Sequence, residues 1–200
     1  MSGDLVERFT EVLGAVGGTA HGPLPVERAL DLLVSLCRER AGGAAVAVST
    51  GDPVMAKLAV AGRLAEAGLE VLTPDDVFWR ERLAEAGVGV TGAVAGVAAS
   101  GSVGIACGPG APRSTSLVPP AHICLVFQGT MVEDLAEALR RCVDLPSNLV
   151  WVSGPSRSAD LELVLTVGVH GPASVDVIVV HGAGGCPPDR AAGAAEENGS

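Results

Sequence analysis

Short apolar runs closed by glycine, proline or small polar residues set the limits on this chain. Residues 44–48, 69–72, 88–91, 94–98, 102–106, 123–127, 148–152 and 175–181 are each rich in Val, Ile, Leu or Ala, the pattern of short strands buried on both faces. Helical signals separate the early runs. Asp52 and Pro53 open a helix that Gly68 closes, and Thr73, Pro74, Asp75 and Asp76 lead another that ends before Gly87. This alternation predicts an α/β fold on a parallel sheet with covered faces. From Val88 the runs follow one another with only Gly and Pro between them, so part of the sheet is predicted antiparallel. The expected architecture is a mixed, largely parallel sheet flanked by helices. Thr130 and Glu133 predict a capping box for a helix reaching about Cys142. Leu5, Val6, Phe9, Val12, Leu13 and Val16 recur at helical spacing, and Val26, Ala29, Leu30, Leu33, Leu36 and Cys37 do so again, predicting two helices before the first strand. The chain divides into residues 1–43, helices packing on the domain; residues 44–181, the α/β domain; and residues 182–200, a Gly-, Ala- and Pro-rich tail expected to be disordered.

Composition excludes several classes of function. Hydrophobic residues make up 48% of the chain and Tyr is absent, so the core must be filled by Val, Leu and Ala. The formal charge of −10 repels polyphosphate, and two Trp with three Phe offer few surfaces on which bases stack; nucleic-acid binding is not expected. No apolar run approaches the roughly 20 residues that span a bilayer, and residues 1–20 read as an amphipathic helix rather than a signal peptide, pointing to a cytoplasmic protein without membrane insertion. Cys37, Cys107, Cys124, Cys142 and Cys186 are odd in number and scattered, without a Cys-x-x-Cys pair, so disulfides and iron–sulfur ligation on this chain are not expected. The single lysine, Lys57, sits mid-helix and argues against Schiff-base chemistry; neither a phosphate-loop nor a dinucleotide fingerprint occurs, the glycines of residues 101–110 serving turns. No cofactor is expected on this chain.

Ligands bind open α/β sheets at the carboxyl ends of strands. Three loops fit that position: Thr91 and Gly92 after Val90; residues 107–116, with Arg113 and Ser116, after Ala106; and residues 153–160, with Ser153, Gly154, Ser156, Arg157 and Asp160, after Val152. In the last, a Gly154-Pro155 turn followed by hydroxyls can cap a short helix, which would place Arg157 as a clamp for a carboxylate or phosphate. An internal salt bridge from Arg157 to Asp160 or Glu162 is the alternative. Asp160 either orients a reacting group or simply suits the first turn of a helix. His170 either shuttles a proton near neutral pH or is held structurally, and His122 reads as a core histidine. Asp160, His170 and His122 lack metal-ligand spacing, so no metal site is expected.

Residues 153–162 (SGPSRSADLE), with residues 167–172 (VGVHGP), 89–101 and 113–123, resemble the signature of the LUD domain family, in its stand-alone lactate-utilisation protein C branch. The resemblance spans residues 85–181. It implies the fold shared by sugar-phosphate isomerases and CoA transferases. It also implies a part in oxidising L-lactate to pyruvate beside iron–sulfur lactate-utilisation proteins of the A and B types, with the clusters on those partners. One departure bears on mechanism: Val94 and Ala99 stand where relatives carry acids, so a covalent glutamyl mechanism of the CoA-transferase kind lacks its carboxylate. This favours an accessory subunit that binds a small anionic metabolite. The competing expectations are a free-standing enzyme on a CoA ester or phosphorylated metabolite, with Arg157 and Arg113 holding the anion and His170 or Asp160 moving protons, and a cyclo-ligase-like nucleotide enzyme, against which the missing phosphate-loop lysine counts. Homo-oligomerisation stays open.

Overall fold

The computed structural model describes residues 2–142, 148–159, 165–167 and 171–183. Helix α1 (Ser2–Ala15) is followed by strand β1 (Thr19–Leu24), helix α2 (Val26–Ala41) and β2 (Val46–Val48); then come α3 (Pro53–Lys57), α4 (Val60–Glu66), β3 (Val71–Leu72) and α5 (Trp79–Leu83). Strands β4 (Val88–Ala93), β5 (Ala95–Val97) and β6 (Ser102–Cys107) precede α6 (Ser114–Leu117), β7 (Ala121–Phe127), β8 (Met131–Val132) and α7 (Leu135–Arg141). β9 (Asn148–Val152), β10 (Arg157–Ala159), β11 (Leu165–Val167) and β12 (Ser174–Val180) complete the order.

Among the described residues, β1, β12, β7, β4, β2 and β3 form, in that order, a six-stranded sheet whose pairings are all parallel. The side-chain period of two divides its central strands between two cores. Val88, Val90, Ile123, Leu125, Ile178 and Val180 face the side covered by α2, α3 and α4. Ala93, Cys124, Val126, Val175, Val177 and Val179 face α1 and a second sheet. Because full burial of one Val or Leu contributes about 1.5–3 kcal/mol, two apolar faces on each strand hold the layers together, with Phe127 in one core and Phe9 in the other as the rings among their buried residues. The second sheet, ordered β8, β5, β6, β9, contains the antiparallel pairs β5–β6 and β6–β9. The antiparallel element expected after Val88 therefore exists, as a separate layer.

Several local expectations are corrected. Residues 1–43 supply more than helices: β1 lies between α1 and α2 and pairs with β12 as the edge of the main sheet. The helix expected from Pro53 to Gly68 is two helices, broken where Ala59 takes φ +48°. Leu58 and Val60 are both buried, and an unbroken helix would place residues two apart on nearly opposite sides. The helix after Thr73 starts late, because the Asp76 carboxylate is used in the turn, accepting from the Thr73 N–H at 2.7 Å. Asp134, rather than Thr130, caps α7, accepting from the Glu137 N–H at 2.8 Å; the Thr130 hydroxyl instead donates back to the Phe127 carbonyl. The short helix expected to present Arg157 is replaced by β10, paired antiparallel with β11. Ser156, its expected cap, donates its backbone N–H to the Pro172 carbonyl, which ties the segment sideways and lets it continue extended.

One polar group is built into the main sheet. Asp176 on β12 is 2% exposed; its carboxylate meets His21 Nε2 at 2.9 Å and accepts from Arg40 Nε at 3.2 Å. Burial pushes this carboxyl up, but the His21 hydrogen bond and the Arg40 guanidinium outweigh it and hold it below its ordinary value. With the folded value below the unfolded one, the contribution to stability is complete above the unfolded pKa and is lost as pH falls through the folded one. Urea denaturation midpoints should therefore decline as pH drops below about 4. Asp176→Asn should cost about 1–3 kcal/mol at neutral pH and make that decline shallower.

Candidate functional site

The loop after β2 is organised by a buried acid. Asp52 is the N-cap of α3, 2% exposed, and its Oδ1 accepts from the Val54 N–H at 2.8 Å and the Met55 N–H at 3.3 Å. The Gly92 N–H on β4 donates to it as well. A Cβ at Gly92 would lie 2.3 Å from the same Oδ1, so only glycine lets the carboxylate close on the strand. Desolvation raises the Asp52 pKa, against the opposing pull of these three N–H donors. Thr91 and Gly92 thus lie inside β4, and Gly92 serves the anchoring of α3.

On the opposite face of β4, the Thr91 hydroxyl meets His122 Nε2 at 2.9 Å, and Cys124 hydrogen-bonds with the same threonine side chain. Burial pulls His122 down to about 4 and pushes Cys124 up to about 12; both groups are neutral at physiological pH. His122 is the core histidine expected. Its Nδ1 and the Thr115 hydroxyl on α6 are buried without a hydrogen-bond partner. The backbone carbonyl of Thr115 packs on Gly89, the lateral neighbour of His122.

Above this strip, residues 108–118 form a compact loop. Gly108 and Ala111 exchange backbone hydrogen bonds at 3.0 Å, the Gly51 N–H donates to the Gly110 carbonyl, and the buried Ser116 hydroxyl donates to the Arg113 carbonyl at 3.0 Å. Arg113 is exposed and its charge reaches Cys107. Opposite it, α5 contributes Arg80, and between them runs a cleft of about 630 Å³ with Trp79, Leu83 and Val118 on its walls. Neither Arg80 nor Arg113 makes a side-chain hydrogen bond or ion pair with any described residue.

The expected site is thereby divided. Arg113 and Ser116 belong to the loop that follows the carboxyl end of β6, and of the expected residues Arg113 lines the cleft, whereas Thr91 and Gly92 face opposite sides of β4. Ser153, Gly154 and Ser156 lie at the other end of β6, because β9 runs antiparallel to β6 and ends at Val103. The Ser153 hydroxyl meets that of Ser102, which meets Ser100, and Gly154 packs on Val16 of the turn after α1. Ser102 and Cys107 are five residue steps apart, about 17 Å at a rise near 3.3 Å per residue. Three loops at one carboxyl edge would need β9 parallel to its neighbour. Arg157 is backbone-paired in β10, while Asp160 and His170 lie outside the described residues, as does Cys186. Arg80, Trp79 and Asp52 were not marked as site residues by sequence pattern; the Asp52-Pro53 cap was visible, but its second role against Gly92 depends on strand pairing. Cys37, Cys107, Cys124 and Cys142 are buried, and no group of three His, Cys, Asp or Glu side chains suited to a metal ion converges among the described residues. No helix among those residues is long and apolar enough to cross a membrane.

The profile of the LUD domain family matches residues 6–180. The chain is 38% identical over 107 residues to a lactate utilization protein C of Halalkalibacterium halodurans, covering 50% of this chain and 46% of that one. It is 34% identical over 133 residues to a lactate utilization protein C of Macrococcus caseolyticus, covering 59% and 58%. The chain spans about half the length of these curated relatives. The crystal structure of a DUF162 family protein from Deinococcus radiodurans superposes with a TM-score of 0.65 over 90% of this chain and 98% of that one at 21% identity, the same fold.

The buried histidine sets a testable pH dependence. Its folded pKa lies below the unfolded value of about 6.5, so the unfolded chain takes up the proton first and stability falls as pH drops from about 6.5 towards 4. The His122 ring resonances should stay flat from pH 8 down to about 5. Thr91→Val, which strands Nε2, should lower stability by about 1–3 kcal/mol, as read by urea denaturation.

Proposed function

The chain belongs to the LUD domain family, and from that membership we propose that it is a component of a lactate-utilisation system. In this reading it is an accessory subunit in the oxidation of L-lactate to pyruvate, working beside iron–sulfur partner proteins that carry the redox centres. The observation that carries it is the match to relatives named for lactate utilisation across the core of the domain. The chemistry of the cleft supports it. Two guanidiniums without a partner among the described residues suit a carboxylate or phosphate, whereas nearby thiols and imidazole are buried and neutral. The positions beside β5 where a nucleophilic carboxylate would be wanted hold Val94 and Ala99. Such a site holds an anion, with Arg113 as its anchor, and leaves bond-making to a partner.

Reconstitution tests this. Lactate-dependent reduction of a dye by co-expressed iron–sulfur partners should require this chain and should fall at least about tenfold with Arg113→Ala, the loss of one charge-assisted contact of about 1.5–3 kcal/mol. Undiminished dye reduction without the chain would overturn the reading, as would turnover of a CoA ester by the isolated protein.

A further inference from the structure

We propose that the cleft between α5 and the 108–118 loop binds an organic dianion with an apolar body, its charged end held by Arg80 and Arg113 and its body laid along Trp79, Leu83 and Val118. The inference builds on the anion-binding part of the reading above and names the class of ligand. It starts from where the positive charge of an acidic chain is placed. The formal charge is −10, and most described arginines have partners: Arg8 with Glu133, Arg40 with Asp176, Arg82 with Glu70, Arg141 with Glu137. A second groove, between α2 and α4, also contains two arginines. There Arg38 donates to the Ala67 carbonyl at 2.6 Å and Arg63 pairs with Asp31 at 2.8 Å, so its charge is neutralised from within.

The α5 cleft is different in kind. Among the described residues no carboxylate lines it, and neither guanidinium makes a hydrogen bond or ion pair with any of them. Two like charges facing one cavity repel, and a bound dianion removes that repulsion while gaining two planar, forked donors. Size sets the second condition. About 630 Å³ falls within the range of cavities that enclose mid-sized ligands, several times the bulk of a three-carbon hydroxy acid, so lactate alone would leave most of it filled with water. The third condition is apolar lining beside the charges: Trp79 and Leu83, themselves 8% and 3% exposed, reach the cleft from the same helix as Arg80, and Val118, 49% exposed, from the loop that carries Arg113. Gly108 and Gly110 complete the lining on the loop side, Gly110 held at φ +69° against the Gly51 backbone.

Trp79 provides an internal reporter, because the only other tryptophan is Trp151. In a Trp151→Phe background, phenyl phosphate, inorganic phosphate, benzoate and lactate are titrated while indole emission is followed, with calorimetry on the unmodified protein as an independent measure. Phenyl phosphate, which combines a ring with a dianion, should change Trp79 emission and bind at least tenfold more tightly than each of the other three. Arg80→Gln and Arg113→Gln should each weaken it by tenfold or more; both residues are exposed, and circular dichroism verifies that the variants fold. Equal affinity for all four probes overturns the proposal. So does unchanged affinity in both variants, or the absence of heat and emission change at millimolar ligand. A reconstituted mixture that oxidises lactate while the cleft ignores phenyl phosphate would sink this inference and leave the lactate-utilisation reading standing.

Discussion

Strand β4 is approached by backbone and carboxylate from both of its faces, and two glycines make that possible. On one face a Cβ at Gly89 would stand 1.8 Å from the Thr115 carbonyl oxygen, and on the other a Cβ at Gly92 would strike Asp52. Neither neighbour has room to retreat: Thr115 belongs to α6, which hangs on the compact loop carrying Arg113, and Asp52 is fixed by three N–H donors. The strand between them is therefore the place where the cationic loop and the first helical layer are both referenced to the sheet. Valines can fill a core in many ways; a carbonyl set against a bare Cα can be placed in very few.

Much of the architecture was legible because valine-rich runs and cap residues report local geometry. All eight apolar runs contain strands, and Asp52-Pro53 marked a helix start. What escaped depended on pairing partners. β1, with His, Gly and Pro among its six residues, has little strand character of its own and is held by β12. The break at Ala59 arises because Leu58 and Val60 are both required in the core, a demand visible only once the core is assembled. The separate four-stranded sheet was anticipated only as an antiparallel portion, since glycine-broken runs do not say which layer they join.

The site divides along the same line. Thr91 and Gly92 lie within the parallel sheet that the alternation of elements announced, one turned to His122 and the other to Asp52, while Arg113 and Ser116 lie in the loop after β6. The Ser153 group departs because the direction of β9 was not readable from Asn148–Val152 alone. Arg80 could not have been singled out, lying as it does in a short helix among other charged residues; its significance comes from its place on a cleft that no described carboxylate lines once α5 faces the 108–118 loop.

The pairing of β1 with β12 joins the first strand to the last among the described residues, as in Thr19 beside Asp176 and His21 beside Ile178. On a ribosome, the N-terminal strand emerges long before its only neighbour exists, and its unpaired amides must wait through the translation of most of the polypeptide. Until then β7 also lacks a flank. The nascent chain must therefore pass through a stage in which β2, β3, β4 and β7 can associate while two backbone edges remain open, and the emergence of β12 is what allows the sheet to close.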